Sequence, residues 1–321
     1  MILKCDRGRS MKIATLLPSA TEIVCRLGFE SNLVGVSHEC DYPPGVERLP
    51  RLTRTRIDSH APSSEIHASV EQWVREALGV YELDLDLLRA LEPDCIITQS
   101  LCDVCAVPLN QVVQACREVL HREVTLVNLT PACLDDVWRD VERVAAALKA
   151  PEAGREFRRE VECRVNAIRE RLDHGSGPSV LAIEWIDPVY IGGLWMPDLI
   201  RICGGRALLA ESGQRAPVVS CEQLEAIDPD VVLVKPCGFK LDQLVPEMDT
   251  LKRALPWRNW KATRDQRWYI ADGNAFFNRP GPRLLDSLEL LAYCMAPETF
   301  PEFGPRYRES FVRLRAGLAL P

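Results

Sequence analysis

The same pattern of apolar and polar positions occurs twice in this chain. Residues 88–99 read LRALEPDCIITQ, and residues 224–235 read LEAIDPDVVLVK. Each copy is typical of the last turn of a helix, a Pro-Asp turn that blocks continuation of the helix, and a short strand. Because the apolar run in each strand is unbroken, we expect both strands to lie buried in parallel sheets. The repeat therefore predicts two related lobes.

Strands and helices alternate on both sides of a helical middle section. Besides the repeat, the predicted strands are residues 12–17, 33–37, 124–129, 179–184 and 267–270. Residues 134–172 carry apolar side chains at helical spacing, and Pro151 is placed to begin a second helix there. We predict an α/β fold with two Rossmann-like lobes, residues 11–133 and 175–321, whose parallel sheets are joined by a long backbone helix within linking helices at 134–174.

Two local patterns in the first lobe lead to more detailed predictions. Ser19 and Glu22 have the spacing of a capping box at the start of the helix that follows the first strand. Residues 51–68 are polar and predict a loop, followed by helices near 70–78 and 83–91.

Cysteines follow the predicted strands. Cys102 and Cys105 come after the first repeated strand, Cys237 comes after the second, and Cys40 follows the strand at 33–37. In open α/β sheets the ligand lies outside the carboxyl ends of the strands, and two lobes that face each other enclose a cleft. We therefore expect the binding site to lie between the lobes.

Composition narrows the classes of partner. A net charge of −7 without any block of basic residues argues against nucleic acid, and no apolar run reaches the ~20 residues that span a bilayer. The apolar run at 13–17 is shorter than the ~7–15 residues of a secretion signal. With thirteen cysteines, this pattern predicts reduced thiols and a cytoplasmic location.

Four segments, in this order, resemble a known family: Leu17-Pro-Ser-Ala-Thr-Glu22, Val34-Gly-Val-Ser37 with Asp41-Tyr-Pro-Pro44, Ile202-Cys-Gly-Gly205, and Asn278-Arg-Pro-Gly-Pro-Arg283. The chain resembles the cobalamin-binding proteins of bacterial vitamin importers, over about residues 12–296, and within them a cytoplasmic branch without a signal peptide. The resemblance implies a periplasmic-binding-protein fold and a substrate-binding protein like those of ABC transporters. Its small-molecule ligand would be cobalamin, another corrinoid or another metal chelate. The expected location argues against docking to a transporter.

The resemblance also implies where the ligand lies. Family members hold cobalamin between the lobes against aromatic side chains, but two of those places here contain Glu39 and Gln99. The ligand-binding residues that we predict are His38, Glu39, Cys40, Gln99, Trp185, Trp195, Phe276, Phe277 and Arg279.

Several of these residues also have a purely structural interpretation. The Arg279 guanidinium is placed to bind an anionic group of the ligand, or to form a salt bridge at the surface. Trp185 and Trp195 flank the glycines at 192–193 and would stack on a flat ligand, or would belong to the core.

The cysteines suggest a second function from a different class. The C-x-x-C spacing of Cys102 and Cys105 lets two thiolates bind one metal, and Cys40 and Cys237 would complete a site for zinc or an iron–sulfur cluster. The alternative function is therefore a cytoplasmic cysteine-ligated metal or iron–sulfur protein that uses the same cleft, with a redox enzyme as one form of it. The competing interpretation is that these four cysteines are small loop residues without a chemical role. No motif assigns catalytic residues, and a binding protein is favoured over an enzyme.

Overall fold

The first lobe is built on a sheet of four parallel strands. The structure is a computed structural model, and it describes residues 10–75, 80–101, 107–120, 123–172, 175 and 177–315. The elements of this lobe are β1 (Ile13–Thr15), α1 (Pro18–Arg26), β2 (Leu33–Gly35), β3 (Thr53–Thr55), α2 (Ser63–Arg75), β4 (Tyr81–Leu83), α3 (Leu85–Leu91), β5 (Cys95–Gln99), α4 (Leu109–Ala115) and β6 (Thr125–Leu129). The strand order is β2-β1-β5-β6. The first repeated strand is β5, which is buried along its whole length and pairs on both sides.

Two antiparallel helices link the lobes, α5 (Leu134–Ala147) and α6 (Pro151–Arg169). Pro151 occupies the first turn of α6, which confirms that a second helix begins there. Trp138 of α5 packs edge-on against Phe157 of α6, with 5.7 Å between ring centroids. Burial of these apolar faces makes the connection stiffer than a glycine-rich linker would be.

The second lobe has a mixed sheet around the second repeated strand. Its elements are β7 (Ser179–Trp185), β8 (Tyr190–Ile191), α7 (Met196–Ile202), β9 (Arg206–Ala207), α8 (Cys221–Glu225), β10 (Val231–Val234), α9 (Leu241–Ala254), α10 (Lys261–Arg264), β11 (Trp268–Ala271), α11 (Leu284–Met295), α12 (Phe303–Arg306) and β12 (Phe311–Arg313). The order is β12-β11-β10-β7-β8, and β9 also pairs with β7. The strands β7, β10 and β11 are parallel, whereas β8 and β12 add antiparallel edges. The two-lobed α/β fold is thus as the sequence predicts.

One continuous apolar cluster joins the two lobes and the linking helices. It contains Ile13 from the first sheet, Phe157 from α6, and Val180 and Leu233 from the second sheet. Asp198 of α7 also accepts a hydrogen bond from the backbone N–H of Leu134, at 3.0 Å, so that a second-lobe carboxylate lies at the start of α5. None of the described helices is both long and apolar enough to cross a membrane.

The prediction of a loop at 51–68 is wrong. Residues 53–55 form β3, which pairs antiparallel with β4, and α2 begins at Ser63. The helix predicted near 83–91 is present as α3, but it begins at Leu85, because Leu83 ends β4 and the side chain of Asp84 caps α3 by accepting from the N–H of Leu87 at 2.9 Å. Strands of three residues are too short to show the alternation that identifies a strand in a sequence.

Candidate functional site

The loops after the strands of the two sheets meet through a network of charged side chains. Glu22 of α1 is buried, and it accepts hydrogen bonds from Arg279 at 3.1 Å and from Arg283 at 3.0 and 2.7 Å. Arg279 also donates to Asp41 in the loop after β2, at 2.6 Å, and to Asn274 at 2.8 Å. Arg279 and Arg283 belong to the second lobe, so this network holds the two lobes together.

The capping box predicted for α1 is absent, because Glu22 binds the two arginines and not the start of its own helix. The helix starts after Leu17 without a side-chain cap, and Pro18 occupies its first turn. The Oγ of Ser19 has no hydrogen-bond partner among the residues that the structure describes. Glu22 turns instead to the two arginines of the other lobe, which are stronger partners for a carboxylate than a backbone N–H.

Arg279 therefore forms ion pairs, and the one with Glu22 is buried, whereas the side chain of Asp41 is 41% exposed. Burial opposes its charge, but the hydrogen bond to Asp41 and the nearby Glu22 carboxylate outweigh that cost and raise the pKa of the guanidinium. Burial raises the pKa of Asp41. The hydrogen bond from Arg279 and the charge of that guanidinium lower it by more, so the net pKa is below the usual range. An anionic ligand group would have to displace one of these carboxylates.

The loop that follows β2 presents His38 and Glu39. Arg51 braces this loop, because its guanidinium donates to the carbonyl oxygens of Ser37 and Cys40, at 2.8 Å each. The Nδ1 of His38 lies 2.7 Å from the hydroxyl of Thr53, while its Nε2 is buried and has no partner among the described residues. Burial, together with the positive charge of Arg51, lowers the pKa of His38 to about 4, so the ring is neutral at pH 7.

Glu39 has a different environment from that of its neighbour. Its side chain reaches solvent and accepts a hydrogen bond from the hydroxyl of Tyr81 at 2.9 Å. The surrounding protein nevertheless raises the pKa of the Glu39 carboxyl, because it removes water from the charged form. The hydrogen bond from Tyr81 and the charge of Arg279 lower this pKa by less, so the net shift is upward. Neighbouring protein groups therefore disfavour the charged form of Glu39, although its side chain reaches solvent.

Two more predicted residues end central strands of the two sheets. Gln99 ends β5 and is buried, and Trp185 ends β7 with its ring edge-on to Phe239, at 5.3 Å between centroids. Neither Oε1 of Gln99 nor Nε1 of Trp185 has a hydrogen-bond partner within the described ranges. Nearby, the carbonyl of Leu101 accepts from Arg215 of the second lobe at 3.2 Å, which places the end of β5 against that lobe. Buried polar atoms without a protein partner are natural contacts for a bound molecule.

The other predicted aromatic residues pack in the apolar core. The indole N–H of Trp195 donates to the carbonyl oxygen of Phe277 at 2.7 Å, and both side chains are almost fully buried. Phe276 packs edge-on against Tyr307, with ring centroids 5.9 Å apart. The core interpretation of Trp195 thus fits the structure better than stacking on a ligand.

The structure gives no support to a cysteine-ligated metal site. Cys40 is buried, its Sγ lies 3.0 Å from the hydroxyl of Thr21, and burial raises the pKa of the thiol to about 11. Cys237 is exposed in the loop after β10, and Cys102 and Cys105 lie outside the described residues. Within the described part of the chain, no three His, Cys, Asp or Glu side chains are grouped to hold a metal ion.

Sequence reasoning missed Lys235, which directly follows β10. Its side chain is 1% exposed, and Nζ donates to Glu184 and to Asn278, at 2.7 Å each. A lysine after four apolar strand residues in the second copy of the repeat was the available signal. Thr53 was missed because β3 was assigned to a loop, and Tyr81 was missed because no element was predicted at its position in β4.

Two surface cavities lie outside the loops that meet between the lobes. One of about 490 Å³ is lined by α5, α6 and α7, including Trp138, Arg158 and Arg201. The other, of about 440 Å³, lies between the end of α1 and the residues near Val46. The loops between the lobes touch one another directly, as expected for a two-lobed protein in a closed conformation.

Comparison with curated proteins gives relatives over most of the chain. The vitamin B12-binding protein of Vibrio cholerae is 24% identical over 288 residues, which are 87% of this chain and 86% of that protein. The crystal structure of the periplasmic vitamin B12 binding protein of Vibrio cholerae matches with a TM-score of 0.62 at 20% identity, over 88% of this chain and 96% of that one. A periplasmic heme-binding protein from Roseiflexus sp. RS-1, in apo form, matches with a TM-score of 0.67 at 23% identity, over 91% of this chain and 100% of that one.

A family model agrees with the fold and with these relatives. The model described as periplasmic binding protein matches residues 13–275, which include the first sheet, the linking helices and the strands β7, β10 and β11. These are the elements that position the loops between the lobes. The chain therefore belongs to the periplasmic binding protein family.

Proposed function

We propose that this protein binds a metal tetrapyrrole between its lobes, and that the ligand is cobalamin or another corrinoid. The observation that carries this proposal is the set of three buried polar atoms without a protein partner at the ends of strands or in the loop after β2: Nε2 of His38, Oε1 of Gln99 and Nε1 of Trp185. The relatives named as binding vitamin B12 or heme support a ligand of this size and class.

The charges around the site favour a corrinoid over heme. The rim of a corrinoid carries neutral amide groups, which need hydrogen-bond donors and acceptors. Gln99 offers an acceptor and Trp185 offers an N–H donor. The carboxylates of heme would instead need cations, yet Arg279 and Lys235 are each already paired with a carboxylate. A neutral rim therefore fits better, because it leaves these ion pairs intact.

Substitution of Trp185 by phenylalanine tests the site. Trp185→Phe keeps an aromatic ring beside Phe239 and removes the N–H donor, so the dissociation constant for cobinamide should rise about fivefold, the usual worth of one hydrogen bond. Isothermal titration calorimetry measures the dissociation constants of cyanocobalamin, cobinamide and hemin with the wild type and with Trp185→Phe.

Trp257→Phe is the matched control, since Trp257 lies beside α10, away from the loops between the lobes. It should bind like the wild type. Heat with hemin alone would replace the corrinoid assignment by heme, and no heat with any of the three ligands would overturn the proposal.

We further infer that the protein works in the cytoplasm. Nine of the thirteen cysteines, among those that the structure describes, are free thiols, and reduced thiols suit that compartment. Cell fractionation of a C-terminally tagged chain tests this inference, and recovery in the periplasmic fraction would contradict it.

A further inference from the structure

The hydrogen bonds around Thr53 determine which nitrogen of His38 carries the proton. The hydroxyl of Thr53 accepts from the backbone N–H of His38 at 3.1 Å and donates its only proton to the Oγ of Ser37, also at 3.1 Å. It therefore has no proton left for the ring of His38. The contact of 2.7 Å between Nδ1 and this hydroxyl requires that Nδ1 carries the hydrogen and donates it.

The other ring nitrogen, Nε2, then carries a lone pair that is available to a ligand. Nε2 is unprotonated in this tautomer, and none of the described residues offers it a hydrogen-bond donor. A backbone contact, a hydroxyl and the brace from Arg51 hold the loop and the ring in place. This is how proteins prepare a histidine that binds a metal: the remote N–H donates to an oxygen, which fixes the tautomer and orients the ring.

We propose that Nε2 of His38 coordinates the metal at the centre of the bound tetrapyrrole as an axial ligand. The inference rests on the proposed function, and it adds a bond from the protein to the metal of the ligand. Cobalt in a corrinoid and iron in heme both leave axial positions open, and both accept imidazole nitrogen. Thr53 is a positioning residue, because it acts only through the ring of His38.

Coordination requires a movement that exposes Nε2. The nitrogen is covered in this closed structure, and the ring of Tyr81 lies 5.1 Å from that of His38, between centroids. The hydroxyl of Tyr81 is held by Glu39, the residue next to His38. Separation of the lobes, or rotation of Tyr81 away from Glu39, would bring a metal within reach of the lone pair.

Two forms of the same ligand separate coordination from packing. Aquocobinamide has exchangeable water on its cobalt, whereas both axial positions of dicyanocobinamide are occupied by cyanide. We expect wild-type protein to shift the main absorption band of aquocobinamide as imidazole replaces water. His38→Ala should abolish that shift and weaken binding about tenfold or more, while the affinity for dicyanocobinamide stays within about twofold.

Further variants keep the result interpretable. Thr53→Val should weaken aquocobinamide binding about tenfold but leave dicyanocobinamide binding unchanged, and His60→Ala, at an exposed histidine, should behave as the wild type. His38→Gln provides a second substitution, and circular dichroism confirms folding of each variant. Hemin titrations show whether iron takes the place of cobalt.

The outcomes for the two proposals differ. Binding of aquocobinamide to the wild type without a band shift, or a shift that persists in His38→Ala, would overturn coordination by His38 and leave the proposed function standing. Absence of binding by cobinamide and hemin alike would overturn both.

Discussion

His38 makes the stability of the folded chain depend on pH. The ring takes up a proton near pH 6.5 in the unfolded chain and only near pH 4 in the folded protein, because burial and Arg51 disfavour its charge. Between these values the unfolded state binds the extra proton, so stability falls as the pH drops from about 6.5 to about 4. The free energy lost from this one group is up to about 3 kcal/mol.

His38→Gln removes this titration, and urea unfolding at several pH values measures the effect. The difference in unfolding free energy between wild type and variant should shrink by up to about 3 kcal/mol from pH 7 to pH 4. His60→Gln is the matched control at an exposed histidine. A constant difference between wild type and His38→Gln across this range would show that the ring is not held neutral.

Single residues show where sequence reasoning succeeds and where it stops. His38, Gln99 and Trp185 were predicted as ligand contacts because each lies at or just after a predicted strand, where α/β proteins hold their ligands, and the structure places each of them at such a position. Glu22 was misread, since its capping-box spacing is a local pattern and its partners are more than 250 residues away. No local pattern in a sequence specifies such partners.

At the scale of elements, α2 is held to the second lobe by one carboxylate. Glu247 of α9 is buried and accepts from the backbone N–H of Ser63 at 3.1 Å and from its hydroxyl at 2.8 Å. The charge lies at the start of α2, where a helix favours an anion. Ile66, one turn later, packs against the apolar core of the second lobe. The helix thus belongs to the first lobe in sequence but is anchored on the second.

Glu247→Gln should release α2, because the amide has no charge and keeps only one acceptor oxygen. We expect a loss of about 1–3 kcal/mol in unfolding free energy and faster hydrogen exchange in residues 63–75. Glu65→Gln, an exposed position in the first turn of α2, is the control for removal of a charge near the same helix end. Unchanged exchange in α2 of the Glu247→Gln protein would mean that packing of Ile66 alone holds the helix.

The regular elements were predictable to different degrees. The repeated strands β5 and β10 and the linking helices are clear, since an unbroken apolar run or a long helical period is a strong signal. The hairpin of β3 and β4 was not visible, because each strand has three residues, β3 was assigned to a loop and no element was assigned to residues 81–82 of β4. Its existence depends on pairing between segments that are distant in sequence.

For the whole molecule, the repeat was enough to predict two lobes, but not how they are joined across the cleft. Two copies of one helix-turn-strand unit imply two sheets, and each copy does form the middle of a sheet. The charged part of that junction consists of Glu22, Asp41, Arg279 and Arg283, which the sequence places far apart. Separation of the lobes would break these contacts.

Glu22→Gln tests that network. The substitution leaves Arg279 with Asp41 as its charged partner, and Arg283 stays over the ring of Tyr42, whose centroid lies 4.2 Å from its guanidinium carbon. Since Glu22 is 3% exposed, the substitution removes the one carboxylate that both guanidinium groups share in a buried site, and the unfolding free energy should fall by about 3–5 kcal/mol. Small-angle scattering should also show a larger radius of gyration, because the carboxylate that holds both second-lobe arginines is gone.

Glu160→Gln is the control for this experiment, since Glu160 forms a partly exposed ion pair with Arg26 that does not join the lobes. It should cost less than about 1 kcal/mol and leave the radius of gyration unchanged. If Glu22→Gln lowers stability without expanding the molecule, the apolar core shared by the lobes is sufficient to keep them closed. The ion network would then stabilise the fold without controlling the cleft, and ligand binding would have to proceed through local movements such as that of Tyr81.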